Sequence, residues 1–331
     1  MNRINNFTMI HIVAALLVIV GHEYVLLGMA PPTIFDNQVH GLGVKILFLV
    51  SGYLVSISYT RADNRRSYLC KRISRLYPPL IVCLVVTVLA FRFITCIPEY
   101  YWQSAVNYVL NNLEMRPKFD LAGVFSDNIY PVGVNGSLWT LPIEIACYFV
   151  LIPIVDIFKT IEKKNKRVAY LLLSIILLGL SVFDLYKQLN MESVMLIFWD
   201  TDWFRAVSLA IWFILGIAFN LMDLKQYCNW QVIFVISIVY MCLGESVKYV
   251  LAPYIIGYAV MCLAMAEKPL FANIFKRDIC YGLYLYAFPD QQLLIYIFKI
   301  KYNIILIYLH MCFLVFRYCL YGYWQKFLLD L

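Results

Sequence analysis

The stretch "TMIHIVAALLVIVGHEYVLLG", residues 8–28, decides the fold of this chain. It is dominated by Ile, Val, Leu and Ala, and about 20 such residues are what a helix needs to cross the hydrocarbon core of a bilayer. Inside it stand His22 and Glu23. Ionisable side chains are costly at that depth, and those that occur there face protein or a water-filled cavity. The segment has no small-residue processing motif, so it is expected to stay as a transmembrane helix rather than be removed as a signal peptide.

The rest of the chain repeats the pattern. Of its 331 residues 63% are hydrophobic and 14% charged, with a mean hydropathy of +0.76, which excludes an ordinary soluble domain. Nine more apolar segments follow: 41–60, 78–97, 138–158, 168–185, 203–222, 230–244, 247–266, 278–298 and 303–322. The segment 230–244 is short, and its separation from 247–266 is the least marked. The longest connection, 98–137, contains "YYWQSAVNYVLNNLEM", which reads as an amphipathic surface helix. The expected fold is therefore an all-α integral membrane bundle of about ten transmembrane helices. Residues 1–331 are expected to form a single transmembrane domain with no soluble domain. The ten cysteines show no CxxC spacing and mostly lie in apolar runs, so neither a disulfide framework nor a metal site is expected.

The surplus of basic residues follows from topology. With the N-terminus in the cytoplasm, 17 Lys and Arg fall in the inside segments and six in the outside loops. That asymmetry is the positive-inside pattern, and it places both termini in the cytoplasm without invoking nucleic acid. In this frame His22 lies six residues from the outer end of its helix, or about 9 Å. Glu144 lies equally far from the outer end of the fourth segment. Lys45, Arg92, Arg205, Asp290, Gln291 and Gln292 also fall in the outer half. A layer of buried polar groups suits a site reached from outside, although Lys45, Arg92 and Arg205 are equally suited to structural pairing or snorkelling.

On the inner side, "SYLCKRISRLYPPL" (67–80) carries Lys71, Arg72 and Arg75 at helical spacing. Such a cluster either anchors topology or grips the oxygens of a phosphate-bearing ligand.

Several patches together resemble the acyltransferase-3 family of integral membrane acyltransferases, especially its short polysaccharide O-acetyltransferases. They are "NNFTMIHIVAALLVIVGHEY" (5–24), "GVKILFLVSGYLVS" (43–56), "YLCKRISRLYPPL" (68–80) and "NGSLWTLPIEIACYF" (135–149). A weaker one is "CYGLYLYAFPDQQLL" (280–294). The resemblance implies a single acyltransferase domain in the bacterial inner membrane. It would move acetyl from cytoplasmic acetyl-CoA to a sugar hydroxyl of a surface polysaccharide, O-antigen or lipid-linked precursor. His22 would be the general base, since the unperturbed histidine titrates near neutrality. Glu144, or Glu23, would orient it and balance its charge. Lys71, Arg72 and Arg75 would hold the CoA phosphates, with Ser51 and Gly52 lining the passage or packing helices. Trp139 and Trp102 are the aromatic residues best placed to stack on a glycan.

The chain departs from the family pattern at three points. His11 stands where Arg commonly precedes the histidine by eleven residues; it shares a face with His22, about 16 Å away. Thr8 replaces an acidic residue, and Glu23 directly follows the candidate base. The rival functions are a transporter or flippase for a sugar or lipid-linked glycan, whose usual inverted repeat is not evident here, and a structural partner in glycan assembly.

Overall fold

The computed structural model describes residues 6–131, 133–190, 199, 201–266 and 280–299. Ten α-helices account for most of them: α1 (Phe7–Leu26), α2 (Val39–Thr60), α3 (Arg65–Phe91), α4 (Pro98–Leu113), α5 (Leu141–Lys164), α6 (Lys166–Asn190), α7 (Trp203–Leu221), α8 (Trp230–Met241), α9 (Glu245–Met265) and α10 (Cys280–Phe298). Seven are long and apolar enough to cross a membrane: α1, α2, α3, α5 with the 3-10 turn Gly136–Thr140 before it, α6, α7 and α9. The expected helical membrane bundle is thus observed. The short segment 230–244 forms its own 12-residue helix, α8, separate from α9. The expected span 303–322 lies outside the described residues.

Several boundaries differ from the apolar runs, and two helix starts show why. The expected third span begins at residue 78, but α3 starts at Arg65 and is 27 residues long. At about 1.5 Å per residue that is ~40 Å, more than a hydrocarbon core, so the basic segment is simply the polar end of the same helix. Helix α2 starts at Val39 rather than 41. A two-residue hairpin sets that start: Thr33–Ile34 pairs with Asn37–Gln38 around Phe35 and Asp36, both at positive φ (48° and 59°). That is the pattern of a tight primed turn.

Local chemistry explains other ends. Asn165 interrupts a charged run between α5 and α6, and its Oδ1 accepts from the backbone N–H groups of Arg167 and Val168 at 3.0 and 3.2 Å. Asp202 caps α7 through Phe204 N at 3.0 Å, and Asn229 caps α8 through Gln231 N at 2.8 Å. These side chains satisfy N–H groups that a helix start leaves without a partner. Helix α4 opens on Pro98 with Glu99 in its first turn, and buries Tyr101, Ala105, Tyr108 and Asn112 along one stripe. The expected amphipathic helix is present.

Contacts divide the chain into two compact units. The first contains Val44–Ile73 and Leu141–Ile274 together with Met1–His11; the second contains Ile12–Gly43, Ser74–Thr140 and Phe275–Leu331. In the first unit α7 is the centre, packed against α5, α6 and α9. Its most apolar window is 61% buried, against 28% for α6. The outward faces of α6, such as Leu171, Ile175, Leu178 and Val182, are exposed. An apolar yet exposed helix is stable when its surroundings are lipid. Helices α2 and α7 cross with their backbones touching. A Cβ on Gly52 would meet the Phe213 carbonyl at 2.0 Å, and one on Gly216 would meet the Leu49 carbonyl at 2.0 Å. Small residues allow such approaches between membrane helices.

In the second unit α10 contains Pro289, which has no N–H to give to the carbonyl four residues back. That carbonyl, on Leu285, instead accepts from Asn135 Nδ2 at 2.9 Å and from Cys83 Sγ at 3.6 Å. The freed acceptor thereby ties α10 to α3 and to the turn before α5. Gln292, fully buried, adds to this: its Nε2 donates to the carbonyls of Tyr130 and Gly133 at 2.8 and 2.7 Å, and its Oε1 accepts from Asn128 at 2.8 Å.

Candidate functional site

The site is built where α1, the first turn of α2 and the middle of α10 meet in the second unit. Gly21 makes the meeting possible. A Cβ there would lie 2.6 Å from His40 Cβ and 2.7 Å from its backbone N, so only glycine admits the start of α2 so close to α1. The next residue, His22, has its ring 5.7 Å from that of His40, tilted by 38°. On another side Phe288 of α10 meets it edge-on, with centroids 5.2 Å apart. Phe288 is itself set in an apolar cluster with Leu26, Leu27 and Ile295. The His22 ring is partly exposed, and neither of its nitrogens has a hydrogen-bond partner among the described residues.

Glu23 points elsewhere. It is fully buried and accepts from Gln291 Nε2 at 2.6 Å; the same amide also donates to the Ile19 carbonyl at 2.9 Å. This fixes the rotation of α1 against α10, and with it the direction of the neighbouring His22. Successive residues on a helix do not face each other. Gln292 is committed to the loop carbonyls described above.

Most open valences fall in this unit. Among the described residues, the buried side-chain polar atoms without a partner are His40 Nδ1, Gln291 Oε1, Ser137 Oγ, Tyr108 Oη and Arg72 Nε. All but Arg72 belong to the unit that holds His22. Buried polar atoms are nearly always satisfied, so each exception marks strain or function. Tyr101, by contrast, is satisfied by the Val88 carbonyl. Burial pushes its phenol up to about 12, so it stays a donor.

The other expected residues lie as follows. Glu144, in the first unit, accepts from the hydroxyl of Tyr148 one turn later; the Tyr148 carbonyl accepts from Tyr68 at 3.2 Å. Arg72 donates from Nη2 to Ser58 Oγ at 3.2 Å, which leaves its buried Nε without an acceptor. Lys71 and Arg75 are exposed. Nearby, Asp156 is taken up by Tyr59 at 2.8 Å and Arg65 at 2.7 Å. Ser51 is half-buried beside Gly52 at the α2–α7 crossing. His11 is buried in the first unit. Lys45 interacts with Asp184 of α6, which also accepts from Tyr249 at 2.7 Å. Trp139 is half-buried in the turn before α5, and Trp102 is exposed.

Two residues escaped the sequence reading. Asp184 sits at the end of an apolar run, where an acidic residue was itself a signal. His40 lies in a polar connection and carried no signal until Gly21 brought it against α1.

Residues 4–324 match the family described as "Acyltransferase domain". The chain is 30% identical over 311 residues to the "O-acetyl transferase" of Shigella phage Sf6, covering 89% of this chain and 87% of that protein. It is 28% identical over 190 residues to "Nodulation protein 10" of Rhizobium leguminosarum bv. viciae, covering 53% of this chain and 49% of that one. No solved structure matches it.

Proposed function

The chain belongs to the acyltransferase-3 family of membrane acyltransferases, and we propose that it moves acetyl from cytoplasmic acetyl-CoA to a sugar hydroxyl of a surface polysaccharide or its lipid-linked precursor. Its setting in this reading is the bacterial inner membrane, with both termini in the cytoplasm. The phage relative's name supports acetyl as the group moved to oxygen. The observation that carries the reading is the His22 imidazole, partly exposed, held by rings and free at both nitrogens among the described residues.

A base has to reach the proton it removes. His22 takes the proton of the sugar hydroxyl as its oxygen bonds to the thioester carbon. The carbon–sulfur bond then breaks, and the CoA thiolate leaves with that proton. Glu23 and Gln291 act as positioning residues, because their hydrogen bond fixes the rotation of α1. The family resemblance gives Glu144 the acidic role, and Tyr148 holds its carboxylate. The residues on the inner side fit a phosphate: Arg72 keeps a buried N–H without an acceptor, and a guanidinium suits phosphate oxygens.

The test is acetyl transfer from radiolabelled acetyl-CoA into the polysaccharide of membranes carrying the protein. In His22→Ala transfer should fall by about 10²–10⁴-fold with normal protein abundance, the usual contribution of a positioned base. Transfer unchanged in that variant would remove His22 from the mechanism.

A further inference from the structure

His22 is not the only imidazole at the site. We propose that His40 is a second catalytic group, donating a hydrogen bond from Nε2 to the thioester carbonyl oxygen as that oxygen becomes an oxyanion. The role rests on the acyl-transfer reading and adds a donor to it.

His40 is fixed by the hairpin that starts α2 at Val39 and by its seat on Gly21. Its ring lies beside the His22 ring, with centroids 5.7 Å apart. A carbonyl carbon attacked by a hydroxyl that His22 deprotonates therefore lies within reach of both rings.

The tautomer follows from burial. His40 Nδ1 is buried, has no hydrogen-bond partner, and faces Gly21, where a Cβ would come within 2.8 Å of it. A proton there would be a buried donor with no acceptor, which native structures rarely tolerate, whereas an unmatched acceptor is better tolerated. The neutral ring thus carries its proton on Nε2, since a neutral imidazole has one donor and one acceptor. His40 as a whole is half-buried, and among the described residues Nδ1 but not Nε2 is a buried atom without a partner.

The chemistry needs such a donor. Attack on the thioester carbon shifts the carbonyl electron pair onto oxygen. The C–O bond forms, the negative charge sits on that oxygen, and His40 Nε2–H stabilises it. Collapse returns the pair to the carbonyl as the C–S bond breaks. The proton taken by His22 leaves with the CoA thiolate, and His40 keeps its own proton throughout. Donors aimed at a developing oxyanion contribute about 10²–10³-fold to the rate.

His40→Phe retains a flat ring against Gly21 and His22 but has no donor. His40→Gln places an amide N–H near the Nε2 position, whereas His40→Asn places one near Nδ1. Each variant is assayed with radiolabelled acetyl-CoA in membranes of the producing strain, with label counted in its own polysaccharide. The phenylalanine variant should lose about 10²–10³-fold in kcat, with KM for acetyl-CoA little changed. The glutamine variant should recover at least ~10-fold over it. A phenylalanine variant as active as wild type would reduce His40 to packing while leaving acyl transfer standing. Where that variant does not accumulate, the amides decide: asparagine matching or exceeding glutamine overturns the assignment. A wild-type protein that transfers no acyl group would overturn the acyl-transfer reading itself, and His40's role with it.

Discussion

Two clusters of polar side chains are buried in the apolar helices of this protein, and they are finished in opposite ways. In the first unit Asp184 interacts with Lys45 and accepts from Tyr249 at 2.7 Å, while Ser181 and Tyr254 bond each other at 2.9 Å. Those groups answer one another. In the second unit His22 has no hydrogen bond among the described residues, and His40, Gln291, Ser137 and Tyr108 each keep an unmatched buried atom. A satisfied polar cluster holds helices together, since polar contacts between membrane helices act as glue. An unsatisfied one costs stability and persists where strain, a catalytic role or a bound group accounts for it. In the proposed reading the difference separates residues that keep the fold from residues that act.

The largest loss of stability is expected at Asp184. Replacing it by Ala removes the carboxylate that accepts from Tyr249 and leaves that phenol without its acceptor, a loss of about 3 kcal/mol. Thermal unfolding in detergent should show this as a large fall in Tm. A single variant as stable as wild type would show that the cluster is not structural.

Arg72 gives the next largest effect. Its unaccepted Nε is the only such atom outside the His22 unit among the described residues. One charge-assisted hydrogen bond contributes roughly 1.5–3 kcal/mol, so Arg72→Ala should raise KM for acetyl-CoA by ~10-fold or more, with kcat nearly unchanged. Arg72→Lys should not restore it, because the fork is lost. A change in membrane insertion alone would return Arg72 to the role of a topology anchor.

The smallest effect is expected at Asn135. Asn135→Ala removes the nearer of the two donors to the Leu285 carbonyl freed by Pro289 and leaves it only Cys83. A loss of about 1 kcal/mol in stability follows, with transfer reduced only slightly. Restoring the backbone donor with Pro289→Ala should offset part of that loss.

Much of this was legible in the sequence. The spans, the amphipathic α4 and the polar groups within spans follow from apolar runs and their interruptions. What the sequence hid is tertiary. Counted by apolarity, the second helix begins at residue 41; the hairpin starts it at Val39 and so brings His40 onto a helix. Gly21 reads as one more small residue until its missing Cβ proves to be the space that His40 fills. Glu23 reads as a partner for the adjacent His22, but helical geometry turns it to Gln291. Asp184 and Lys45 lie on different helices, and spacing along the chain does not pair them.

The most direct measurement sets the two clusters side by side: acetyl transfer per folded molecule and Tm, for His22→Ala and Asp184→Asn. His22→Ala should keep its Tm within about 2 °C and lose transfer, whereas Asp184→Asn should lose several degrees and transfer normally once folded. The reverse pattern, with transfer surviving at His22 and vanishing at Asp184, would contradict this expectation.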